Sequence, residues 1–191
     1  MTVSYVERTD ADTATLQFYD QAEERFTMLL NIFKVFGHTP ELGKVFTELV
    51  MAILKDGELE WVTKELLILK ATHRNDCHYC VVQHETLSKR LGISEEKIAD
   101  IGDDRYKDSP NFSDAEKALL DLTVQIGIDA NRVSKELWNR LHKHFSEPQI
   151  VEAVFTITTY IAISKFGDAL GVELEPVFSG SSPILQIAHH A

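Results

Sequence analysis

Apolar residues recur every three or four positions along almost the whole chain, and no run of alternating apolar and polar residues bounded by turns interrupts them. That spacing is the signature of amphipathic helices, so the expected fold class is all-α, a compact multi-helix bundle. Capping chemistry divides the pattern. One amphipathic segment spans about 13–36, and the next opens with Thr39 as N-cap and Pro40 in the first helical position. "LEWVTKELLILKATH" precedes a helix capped by Asp76 and closed by Gly92, and Ser94 caps a short successor. "FSDAEKALLDLTVQI" opens with a capping box of Ser113 and Glu116, and "VSKELWNRLHKHF" follows. "EPQIVEAVFTITTYIAISKFGDAL" is apolar around most of its circumference, which predicts burial on several sides. The periodicity fades after Pro176. The expectation is one helical domain over residues 1–191, with its core at about 20–175 and an irregular tail at 176–191.

Composition narrows the class of partner. With 19 basic against 30 acidic residues the net charge is −11, the wrong sign for nucleic acid or an anionic membrane surface. No stretch approaches about 18 consecutive apolar residues, and the opening "MTVSYVERTDADTAT" has neither a basic nor an apolar leader segment, so no membrane partner and a cytoplasmic location are expected. Several helices are too apolar all round for a lone chain, which predicts a homo-oligomer.

The two cysteines stand in "HRNDCHYCVVQHE", at 77 and 80, with a histidine at 84. Two cysteines cannot form a disulfide scaffold, and in a reducing compartment such a pair is more often redox-active or metal-binding. On a helix Cys77, Cys80 and His84 fall within roughly 60° of one another. Helical residues three apart hold their Cβ atoms about 5–6 Å apart, against roughly 4 Å in a disulfide, so closing the bond would have to distort the first turn. Three readings fit these residues. They are a redox dithiol, a metal clamp using Cys77, Cys80 and His84 with His73 or His78 as fourth ligand, and a pair of small core residues. Trp61 and Trp138 read as core or interface anchors.

Glu65 alters the balance. Its helical neighbours Trp61, Val62, Ile68 and Leu69 are all apolar. A carboxylate without a local cation is expensive to bury ionised, the setting of a general acid or base. Glu65 lies about 14 Å of helix before the turn near Arg74, and His84 about 12 Å after it. In an antiparallel hairpin the two stand level.

The order Glu65, eleven residues, Cys77, two residues, Cys80, three residues, His84 resembles the motif of the alkylhydroperoxidase D-like branch of the carboxymuconolactone decarboxylase family, with every spacing matched. The helical pattern over about 20–175 is similar too. The resemblance implies an all-helical fold assembling as trimers or hexamers, and a thiol peroxidase or disulfide reductase activity. It implies that Cys80 attacks a hydroperoxide with help from Glu65 and His84. Cys77 then resolves the sulfenic acid, and an external dithiol or protein reductant restores the thiols without a bound cofactor. On this reading Cys77 lies nearer solvent, and His73, His78 and Tyr79 line the site. Tyr79 stands where the best-characterised branch has histidine, with His78 one place earlier. The rival reading from another class is a non-enzymatic metal-binding or redox-sensing helical oligomer.

Overall fold

The structure, a computed structural model, describes residues 2–178. Among these residues there are helices and connecting turns and no strand. The all-α class expected from the periodicity is the observed one. The described residues form two compact units, one of residues 2–52 with 167–178, the other of Ile53–Phe166.

The first unit contains α1 (Thr13–Phe26), α2 (Asn31–Phe36) and most of α3 (Pro40–Ile53). The segment expected as one helix over 13–36 is two. Thr27 takes a left-handed conformation, φ 61°, and donates its N–H to Glu23, which closes α1. The core is aromatic: Phe33 packs against Phe18, Phe26 and Phe46. Gly43 permits the close packing of α3, since a Cβ there would stand 2.5 Å from the Phe18 ring. Within the same unit the buried Glu175 accepts the backbone N–H of Asn31 at 2.6 Å.

The second unit is built around α4 (Trp61–Arg74), with α5 (His78–Arg90), α6 (Glu95–Gly102), α7 (Asp114–Asp129), α8 (Lys135–His144) and most of α9 (Glu147–Leu170). One face of α4 sends Leu67 into a core with Leu119 and Leu122 of α7, Leu141 of α8, and Ala153 and Ile157 of α9. Another sends Leu66 and Leu69 into a second core with Ile98 and Ile101 of α6 and with Tyr106, Phe112 and Leu120. With neighbours on both sides, α4 buries every residue from Lys64 to Thr72, polar ones included. Its two buried lysines are paired. Lys64 reaches Glu152 at 2.8 Å, and Lys70 bonds Asp104 and the Ile101 carbonyl.

Pro40 opens α3 as expected, and the caps expected at Ser94 and Ser113 occur as such, the last as a reciprocal capping box. Gly92 closes α5 with φ 81°, the N–H groups of Gly92 and Ile93 returning to Lys89 and Ser88 in a Schellman motif. Among the described residues one helix, α9, is long and apolar enough, by length and composition only, to cross a membrane. Its buried side chains, Ala153, Ile157 and Tyr160 among them, face the protein interior, whereas Val151 and Phe155 are 67% and 52% exposed. Of the tail expected at 176–191, residues 176–178 form a 3₁₀ turn and the rest lies outside the described residues.

Candidate active site

The site begins at the turn between α4 and α5. Asp76 does not cap α5 as its residue type suggested; it ends α4. Its φ of 56° is left-handed, and the N–H groups of Asp76 and Cys77 return to the carbonyls of His73 and Thr72, a second Schellman motif. Aspartate tolerates that conformation better than most residues. Helix α5 therefore starts one residue later than expected, and Cys77 itself occupies its N-cap in an extended conformation.

This shift has a chemical consequence. Cys77 lies outside the helix, so its side chain is released from helical spacing, and its Sγ approaches that of Cys80 to 2.9 Å, the Cys77 thiol donating. Both cysteines are thiols, not halves of a disulfide. The distortion expected for bringing the two sulfurs together is already present in the backbone. Cys80 is the third residue of α5, beside the N-terminal amides that no helical carbonyl pairs, where the helix dipole favours a thiolate. Both cysteines are buried, Cys77 0% and Cys80 3% exposed, so the expectation that Cys77 lies nearer solvent is not met.

Glu65 and His84 meet across the hairpin, His84 Nδ1 lying 2.6 Å from Glu65 Oε1. Glu65 is fully buried and His84 nearly so. Adjacent Lys64 turns to Glu152 instead, so Glu65 keeps the imidazole as its close partner, with the Ser88 hydroxyl at 3.5 Å. The other carboxylate oxygen, Oε2, is buried without a hydrogen-bond partner among the described residues. With Glu65 ionised, Nδ1–H donates to it and Nε2 keeps a lone pair able to accept a proton. A third ring closes over the imidazole from α9: Tyr160 meets His84 edge to face, centroids 4.8 Å apart and planes at 86°. Burial, then the nearby charges of Glu65 and Cys80, push the Tyr160 phenol well above its ordinary range.

The structure thus joins Glu65 to His84 and Cys77 to Cys80, the two pairs held by α4 and by one end of α5. The outlying candidates stand differently. His73 lies 3.2 Å from Glu85 and packs against Gly102, His78 is exposed, and Tyr79 is buried just before Cys80. Among the described residues no group of three or more histidine, cysteine or acidic side chains is placed to hold a metal ion.

Sequence reasoning missed Tyr160. Glu152, Thr156, Tyr160 and Ser164 recur every fourth residue on a largely apolar helix, a polar stripe that could have served as a signal.

The fold is all-helical and carries a buried C-x-x-C pair on the same hairpin as a carboxylate–imidazole pair. The model of the carboxymuconolactone decarboxylase family matches residues 40–125, the segment that holds all four side chains. YdfG, an uncharacterized protein of Bacillus subtilis, is 27% identical over 118 residues, 61% of this chain and 79% of its own. A peroxidase-related protein of Ralstonia eutropha JMP134 with an alkylhydroperoxidase AhpD core superposes with a TM-score of 0.78 at 18% identity, covering 93% of each chain. The debrominase Bmp8 superposes with a TM-score of 0.77 at 19% identity, over 93% of this chain and 94% of its own. At these identities the solved structures share the fold.

Proposed function

We propose that this protein is a dithiol oxidoreductase that reduces hydroperoxides through Cys77 and Cys80, with Glu65 and His84 as proton relay. The observation that carries the reading is the buried 2.6 Å pair of His84 and Glu65 on the same helix hairpin as two thiol sulfurs 2.9 Å apart. His84 takes the Cys80 proton, and the thiolate attacks the peroxide oxygen. The O–O bond breaks, Cys80 becomes a sulfenic acid, and the leaving alkoxide takes a proton from the relay. The Cys77 thiol then attacks the sulfenic sulfur, water leaves, and the disulfide forms. An external dithiol, small or protein-borne, returns two electrons. Two buried sulfurs suit a small oxidant, and a pair that cycles through the dithiol form suits a reducing cytoplasm. Peroxide consumption is expected to vanish in Cys80→Ser and to fall about a hundredfold in Glu65→Gln. Undiminished consumption by Cys80→Ser would overturn the reading, as would about one zinc per purified chain released only by thiol modification.

A second reading takes support from the fold shared with a variant of the debrominase Bmp8 solved in complex with 2,3,4-tribromopyrrole, TM-score 0.78. The same dithiol would pass its two electrons to a carbon–bromine bond, releasing bromide and a proton and leaving a disulfide. Bromide release exceeding peroxide consumption under the same reductant would favour it.

The reading includes assembly. Val151 and Phe155, one turn apart on α9, are an exposed apolar pair suited to cover by a second copy of the chain, in trimers or hexamers.

A further inference from the structure

We propose that Tyr160 is a positioning residue of the dithiol site, its ring fixing the plane in which the His84 imidazole meets Glu65. The inference deepens the reading above and rests on His84 serving as proton acceptor.

Glu65 holds only one atom of the imidazole, Nδ1, and a ring held at one nitrogen still pivots about that hydrogen bond. Pivoting would move Nε2, the nitrogen left to accept a proton, off any fixed direction. Tyr160 approaches from α9 with its plane at 86° to the imidazole and its centroid 4.8 Å away, the edge-to-face geometry that aromatic pairs prefer. Its side chain is 2% exposed and has little room to yield. One helix turn further along α9, the Ser164 hydroxyl bonds the Tyr160 carbonyl at 2.8 Å. Among the described residues, Glu65 from α4 and Tyr160 from α9 meet the imidazole, the Ser88 hydroxyl lies 3.5 Å from Glu65, and Cys80 stands one helix turn before His84 on α5. A phenol kept protonated chiefly by burial adds no charge there, so the ring can orient the imidazole without competing for its proton.

The test uses the full chain carrying Cys77→Ser, so that a single thiol reports, and follows alkylation of Cys80 by iodoacetamide against pH. Tyr160→Phe, which keeps the ring, is expected to hold the midpoint and the neutral-pH rate within about twofold. Tyr160→Leu is expected to displace the midpoint and slow the neutral-pH rate about tenfold with helical circular dichroism unchanged. If the leucine variant does not fold, Tyr160→Met replaces it with the same expectation. A ringless variant with the parent midpoint and rate would overturn the proposal, as would a phenylalanine variant behaving like the ringless one, which would move the role to the hydroxyl. Alkylation needs no peroxide, so this outcome is independent of whether hydroperoxide is the substrate.

Discussion

At the scale of single residues, the chemistry depends on three placements: Cys80 at the third position of α5, Cys77 just outside it, and Glu65 sealed against His84. The first two follow from Asp76, whose left-handed backbone ends α4 and starts α5 within two residues. Asp76→Pro forbids that φ and is expected to separate the sulfurs and slow disulfide formation after oxidation, measured as persistence of the Cys80 sulfenic acid to a trapping reagent. Unchanged trapping would mean that the turn does not set the sulfur geometry. The spacing of the motif made the identities of the four side chains legible in the amino-acid sequence. It did not reveal that Cys77 would cap the helix, because aspartate is the better N-cap by residue type, and only the tight Schellman connection reassigns it. Nor did it pick out Tyr160, 76 positions after His84, since periodicity places a residue on a face without naming the partner across it.

At the scale of elements, α4 is held by buried charge as well as by apolar packing. Burial alone would raise the Glu152 carboxyl, but hydrogen bonds from Lys64 and the Leu59 N–H outweigh it and hold the group below its ordinary range. A carboxylate depressed in the folded state adds stability above its unfolded value, near 4.3, and loses it as pH falls through the lower folded one. Glu152→Gln leaves Lys64 buried without its counter-charge and is expected to cost about 2 kcal/mol at neutral pH, less than for a fully buried pair because Glu152 is partly exposed. In thermal melts the gap from the parent should narrow as pH drops below about 4.3. A gap constant from neutral to acid pH would show that the pair does not contribute this term. Gly92→Ala has open space for its Cβ, so its cost is conformational, about 1 kcal/mol, read as a lower melting temperature. Helix starts and stops were legible where a cap is chemically distinctive, as at Ser113 and Gly92. The break at Thr27 was not, because threonine carries no left-handed preference for the sequence to display.

At the scale of the whole molecule, the apolar excess of α9 serves two surfaces: buried residues fill the core of the second unit, and Val151 with Phe155 face outward. Phe155→Glu is expected to lower the sedimentation mass of the purified chain toward that of a monomer, and a parent chain that already sediments as a monomer would contradict assembly through this face. The central claim is that the two sulfurs form one redox unit driven by the Glu65–His84 pair, and counting thiols before and after one equivalent of hydroperoxide tests it most directly. The account predicts loss of both thiols per chain, their full return with dithiol, and no disulfide in Cys80→Ser; two intact thiols after the challenge would contradict it.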